Sequence, residues 1–238
     1  MKIGFSTGSL ALDDVRRGLR MSAESKATAI ELSALREEEL EPLINLIDDL
    51  DLSHFEYVSF HAPSRLNHLS EQRVVDLLKL VAERDWAIVV HPDVIQNVSL
   101  WKTLRSHVCL ENMDKRKPTG RTVKEMQSYF ERLPEATFCF DIGHARQVDP
   151  TMLAARCFLR HFESRLAQVH MSYVNSSSHH ERLNFEAAVA FRRVVSLIHE
   201  DTPIILETPV PEGMLDQEVE RAQAILKPVC DMTRMVEC

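Results

Sequence analysis

Eight short apolar runs, at 2–6, 29–33, 57–61, 87–91, 107–111, 137–141, 168–172 and 203–207, alternate along this chain with segments of helical periodicity. Strand and helix in strict alternation imply a parallel sheet covered by helices. Spread over 238 residues, eight such units take roughly 30 residues each, close to the roughly 250 typical of a closed (β/α)8 barrel. We therefore expect a single α/β domain, a TIM barrel spanning 1–238. A doubly wound open sheet is the structural rival. It ordinarily needs fewer strands, and Gly4 and Gly8 do not form the G-x-G-x-x-G phosphate loop such folds carry after the first strand.

The helical segments read as covers for that sheet. Leu40, Leu43, Ile44, Ile47 and Leu50, and then Val74, Leu77, Leu78 and Val81, form stripes at helical spacing. Helix starts are expected at Thr122 with Glu125 in capping-box spacing, at Asp149 before Pro150, and at Asn184 before Phe185, with Pro228 closing the last helix. No tract rich in Pro, Gly or Ser marks a linker. The polar run 175–183 reads as a long loop after the seventh strand.

Composition narrows the function classes. A net charge of −8 gives no global reason to expect nucleic acid or an anionic membrane as partner. No apolar stretch is long enough to span a bilayer and no signal-peptide pattern leads the chain, so a cytoplasmic location is expected. The five cysteines are odd in number and lack Cys-x-x-Cys spacing. Cys109 and Cys139 read as small core residues.

The ends of the apolar runs carry the chemistry. Glu31 lies in the second, His61 ends the third, His91 the fourth, Glu111 the fifth and Asp141 the sixth. His170 lies in the seventh and Glu207 ends the eighth. Strand parity turns Phe138 and Phe140 toward a helical layer and Asp141 the other way. Gly143 is expected to turn the chain sharply, which brings His144 over the same strand end. Taken singly, each histidine reads as a hydrogen-bonded core residue and Asp141 as a strand cap. Six successive strands ending in metal-capable residues are another matter, since buried carboxylates without counter-charge are costly and a barrel builds its site at this face. A divalent cation accounts for all of them.

These motifs as a set (His-Ala-Pro at 61–63, His-Pro at 91–92, Glu-Asn at 111–112, Asp-x-x-His at 141–144, His170 and Glu-Thr-Pro at 207–209) resemble the xylose-isomerase-like TIM barrels, which include endonuclease IV (AP endonuclease family 2) and many sugar isomerases and epimerases. The resemblance spans the strand ends of the whole chain. It implies one ion held by Glu111, Asp141, His170 and Glu207 in the isomerases. In endonuclease IV it implies a trinuclear zinc cluster that also uses the residues matching His61, His91 and His144, with an Asp-x-His pair in the loop after strand seven. Of that pair His180 is kept, while Ser178 stands where the aspartate is expected. Ser64 likewise replaces the aromatic residue that follows His-Ala-Pro in endonuclease IV.

The resemblance implies two chemistries. In an isomerase or epimerase, Glu111 and Glu207 remove and return a carbon-bound proton beside a metal-chelated carbonyl. In a phosphoesterase, two or three ions assist phosphodiester cleavage, abasic DNA being the substrate of endonuclease IV. The imidazole-rich set fits zinc or manganese, in one to three ions. Basic residues after the strands (Arg65, Lys115, Arg116, Lys117, Arg121, Arg146 and Arg182) suggest an anionic substrate. Of these Lys115, Arg116 and Arg182, together with Glu31 and His144, are the expected substrate contacts. Duplex DNA asks for phosphate contacts over a wide face, so a small sugar or sugar phosphate is expected ahead of nucleic acid. A metal-dependent binding protein without turnover is the reading from a third class.

Overall fold

The computed structural model describes residues 1–227; Pro228, Cys230 and Cys238 lie outside the described residues. Eight parallel strands close into a barrel: β1 Ile3–Ser6, β2 Ala29–Ser33, β3 Tyr57–His61, β4 Ala87–Val90, β5 Val108–Glu111, β6 Thr137–Asp141, β7 Leu166–Met171 and β10 Ile204–Leu206. The order around the wall is β1-β10-β7-β6-β5-β4-β3-β2, so every strand neighbours its sequence neighbours and β10 closes on β1. A two-stranded antiparallel ribbon, β8 Tyr173–Val174 with β9 His180–Glu181, stands in the loop after β7. Among the described residues, no helix is long and apolar enough to cross a membrane.

Among the described residues ten α-helices follow the strands: α1 Thr7–Leu10, α2 Val15–Ala23, α3 Glu37–Leu46, α4 Glu71–Ala82, α5 Val98–Trp101, α6 Val123–Arg132, α7 Ile142–Val148, α8 Leu153–His161, α9 Phe185–Phe191 and α10 Leu215–Leu226. The main core lies between barrel and helices, where outward residues such as Phe60, Val90, Leu110, Phe138 and Phe140 meet the buried helix faces. Phe138 packs against Phe130, Phe158 and Phe162 at centroid distances of 5.3–6.0 Å, as the parity of that strand requires. Val89, Cys109 and Cys139 form a separate cluster inside the barrel, beneath the strand ends.

The helix starts at Thr122 and Asn184 are as the sequence indicates. Thr122 accepts from Glu125 N while Glu125 accepts from Thr122 N, and Asn184 accepts from Ala187 N. At Asp149-Pro150 the helix begins later, at Leu153, because the Asp149 carboxylate is spent on the turn itself, accepting from Thr151 N and Ala154 N. The last residue of β2 is Ser33, which pairs with His61, so Glu31 sits one inward position deeper than the strand end.

Gly143 does not make a turn. The chain passes from β6 straight into α7, whose N-cap Asp141 accepts from His144 N at 2.6 Å, and Gly143 lies in the first turn of that helix. Glycine is needed there for closeness: a Cβ would lie 2.6 Å from Ser172 O and 2.8 Å from a Val174 methyl. Helix propensity alone favours alanine over glycine by about 1 kcal/mol. The contact is with a strand-end backbone that cannot yield, so the clash wins. Gly143→Ala is expected to lower stability by about 1–3 kcal/mol in urea unfolding. A stabilised variant would show that α7 and β7 are not in this contact.

Candidate metal centre

Glu111 is the hub of the strand ends. It is fully buried, and its two oxygens face different groups of imidazoles. Oε2 lies 3.4 Å from His61 Nε2 and 3.1 Å from His91 Nε2. Oε1 lies 3.2 Å from His144 Nδ1 and 3.5 Å from His170 Nδ1. His170 Nδ1 is also 3.5 Å from Glu207 Oε1, and Asp141 Oδ2 is 3.5 Å from His144 Nδ1. Ligand atoms of Glu111, Asp141, His170 and Glu207 all fall within 4.8 Å of one another, as do those of His61, Glu111 and His170.

Local chemistry aims these atoms. Asn112, next to Glu111, replaces one rung of the ladder: its Nδ2 donates to Asp141 O at 2.9 Å and its Oδ1 accepts from Asp141 N at 2.9 Å. That locks β5 to β6 exactly where their ligands emerge. His61 donates from Nδ1 to Ala62 O at 2.7 Å, which leaves the Nε2 lone pair pointing at Glu111. Asn112 O, 3.0 Å from His144 Nδ1, accepts the proton there.

Several buried atoms at this point have no hydrogen-bond partner: Glu111 Oε2, Asp141 Oδ2 and His170 Nδ1. Acceptors face acceptors, an arrangement that polar protein groups alone leave unsatisfied and a cation resolves. Oxygen and imidazole donors in this number fit zinc or manganese. In the metal-free chain protons take the cation's place. Burial pushes the Asp141 carboxyl up to about 8. Burial opposes charge on His144, yet Asp141 and Glu111 beside it hold the imidazole protonated up to about 10. His91 and His180, by contrast, are lowered by burial and so are neutral, ready ligands.

Above the cluster opens a cavity of about 460 Å³, whose wall includes His61, His91, Glu111, His144, His180 and Glu207. The other expected contacts divide. Arg116 lines the cavity but is clamped to buried Asp114, with Nε 2.9 Å from Oδ2. Lys117 also lines it, its Nζ held by Ser64 O at 2.7 Å and by Asp93 at 3.0 Å. Arg65 lines it without an ion pair among the described residues.

Three expected substrate contacts are placed elsewhere. Lys115 points to solvent off the cavity wall, its backbone N donating to Gln147 Oε1. Arg182 turns to the buried Glu218 at 3.1 Å, because that carboxylate also accepts from Leu183 N and Arg221 and needs the counter-charge. Glu31 lies beneath the ligands, its Oε2 3.1 Å from His170 Nε2, because β2 runs two residues past it.

Near the remaining histidine, His180 Nδ1 is 2.8 Å from Ser172 Oγ and 3.4 Å from Glu207 Oε2, and its ring packs edge-on to His144 at 5.3 Å. Ser178 is turned away from it, buried against Gln147 Nε2 at 2.5 Å. Residues that the sequence reading passed over are Asp114, Gln168 and Tyr57, and Asn112 entered it only as part of the Glu-Asn motif, without a role. Gln168 had a signal, being two residues from His170 and therefore on the same face.

No protein-family model matches the chain, and no curated protein matches it in sequence. Solved structures do match. A D-tagatose 3-epimerase-like protein is 19% identical over 95% of this chain and 98% of its own, with a TM-score of 0.65. A xylose isomerase domain protein from Alicyclobacillus acidocaldarius is 14% identical over 94% and 97%, also at 0.65. Endonuclease IV from Thermus thermophilus is 20% identical over 94% and 99%, at 0.58.

Two outcomes test the metal centre. Asp141→Ala should lower bound zinc or manganese, measured by elemental analysis, and lose the rise in Tm that metal gives the parent chain, because a ligand of the folded state alone stabilises it by mass action. Unchanged metal content would remove Asp141 from the site. The second outcome concerns pH. Asp141 rises from 3.8 and His144 from 6.5, so each stabilises the metal-free fold fully below its ordinary value, and that contribution is lost as pH rises to about 8 and about 10 respectively. Cation uptake releases these protons. The gap in Tm between metal-loaded and metal-free protein should widen from pH 6.5 upward; a gap that narrows would contradict the assignment.

Proposed function

We propose that this chain, which has the xylose-isomerase-like TIM-barrel fold, is a divalent-metal-dependent isomerase or epimerase of a small sugar or sugar phosphate. One observation carries the reading. Glu111 and Glu207 come from strands three apart in the barrel wall, reach one buried point with ligand atoms within 4.8 Å, and both line the same cavity. A carbon held between them has a carboxylate on two sides. Similarity to a D-tagatose 3-epimerase-like protein and a xylose isomerase domain protein agrees with it.

When bound, zinc or manganese supplies Lewis acidity to a carbonyl and a neighbouring hydroxyl of the substrate. Asp141 and His170 act as ligands only. Glu207, the more open of the two glutamates, takes the proton from the carbon beside the carbonyl, and Glu111 returns one. His180, steadied by Ser172, faces the cavity within 3.4 Å of Glu207 and orients a substrate hydroxyl. Arg65 meets an anionic group at the mouth. With Arg116 and Lys117 already paired to Asp114 and Asp93, the rim favours one such group over a run of phosphates.

A second reading, hydrolysis of a phosphodiester, is favoured by the division of Glu111, whose Oε2 faces His61 and His91 while its Oε1 faces His170, two groups of donors that would suit two ions. Proton exchange separates the two. Protein reconstituted with manganese or zinc should exchange the hydrogen beside the carbonyl of a ketose with deuterated solvent, read by NMR over a panel of ketoses and their phosphates. Glu207→Gln should abolish exchange while keeping much of the metal, since an amide keeps an oxygen ligand but takes no proton at neutral pH. Cleavage of duplex DNA at abasic sites, with no exchange on any sugar of the panel, would replace the first reading with the second.

A further inference from the structure

Glu31 has no role in the chemistry above, and its surroundings are unusual. It is completely buried inside the barrel, one layer below the candidate metal ligands, on a strand three places from β7 around the wall. Ser59 donates to its Oε2 at 3.1 Å and Gln168 Nε2 donates to the same oxygen at 2.8 Å; Oε1 has no partner. Gln168 is itself oriented, because its Oε1 accepts from Tyr57 OH at 2.6 Å. A buried carboxylate with no cation beside it is costly, and the ring in reach is that of His170, whose Nε2 is 3.1 Å away.

We propose that Glu31 is the positioning residue that makes His170 a metal ligand through Nδ1, with Gln168 and Tyr57 holding Glu31 in place. The inference rests on the metal centre described above and not on the reaction assigned to it. His170 Nδ1 points at Glu111 and Glu207, 3.5 Å from each, and has no hydrogen-bond partner. In the metal-free chain the ring has two choices at Nε2, since Gln168 Nε2 lies 2.9 Å from that nitrogen and Glu31 Oε2 lies 3.1 Å from it. It can accept from the amide or donate to the carboxylate. Ligation through Nδ1 spends the lone pair there, so the proton must sit on Nε2, where Glu31 Oε2 is the acceptor among the described residues. The ring then takes one tautomer and one orientation, and the carboxylate makes the imidazole a more basic donor.

Binding of cobalt(II) to the full chain tests this, because its visible absorption reports the ligand set directly. Removing such a partner ordinarily costs about 10–100-fold in metal affinity. Glu31→Ala should weaken cobalt binding by that amount and shift the absorption bands. Glu31→Gln keeps an oxygen that accepts from Nε2, so it should retain the parent bands with a smaller loss. Tyr57→Phe touches neither metal nor His170 and removes only the hydroxyl that fixes Gln168; it should weaken binding in the same direction by less, and it keeps the test open if Glu31→Ala does not fold. A purely structural Glu31 predicts lower stability of the metal-free variants with unchanged cobalt affinity and spectrum, and that pattern in Glu31→Gln and Tyr57→Phe would overturn the inference alone. A parent chain that binds no cobalt would overturn the metal centre and this inference together.

Discussion

Four carboxylates, those of Glu31, Glu111, Asp141 and Glu207, are packed into one end of a barrel, and among the described residues no lysine or arginine pairs with them. Two like charges separated by 4.8 Å repel by roughly 3–4 kcal/mol at an effective dielectric of about 20, and burial adds the loss of hydration. Only protons or a cation can balance such a set. The raised affinities of Asp141 and His144 for protons are the metal-free answer, and the unpartnered lone pairs of Glu111, Asp141 and His170 mark where a cation gives the other.

That constraint explains how the rim is built. Several of the loops that frame the cavity are fastened by a side chain hydrogen-bonded to their backbone. Glu37 of α3 accepts from Asn67, His68 and Leu69 in the loop after β3. Glu71 of α4 accepts from Gln96 and Asn97 in the loop after β4. Glu218 of α10 accepts from Leu183 beyond the β8–β9 ribbon, and Gln147 of α7 spans Lys115 and Asn175. A site preorganised in this way loses little conformational entropy when a ligand enters.

The sequence carried the barrel and the convergence of the candidate ligands at one end of it because both follow from period-two parity and chain order. His61, His91, Glu111, Asp141, His170 and Glu207 each stand where an apolar strand runs out, and a parallel barrel brings all such ends together. What parity does not encode is depth. Glu31 shares the inward face with Ser33, and only the length of β2 says which of the two reaches the rim. Nor does it encode pairing between distant elements: Arg182 looks like a loop cation until Glu218, on the final helix, is seen to need it. Asp149-Pro150 has the same character, since the carboxylate that marks a helix start here closes a turn four residues ahead of one.

The rim sets how large and how charged a substrate the cluster can serve. Arg116 and Lys117 look in sequence like parts of a basic surface, yet each is committed to an acidic neighbour, and what they contribute is loop geometry. Asp114, buried against Arg116 and close enough to His144 to feel its charge, extends the acidic character of the floor onto one wall. A polyanion laid across this mouth would meet as many carboxylates as free cations. Under the proposed reading, a small polyhydroxylated molecule would meet the opposite balance, with the carboxylate-lined floor below it, imidazoles at His91 and His180 in the wall and Arg65 at the mouth. The same pairing that keeps the loops rigid leaves few free cations at the mouth, which is the physical basis for proposing a compact ligand there.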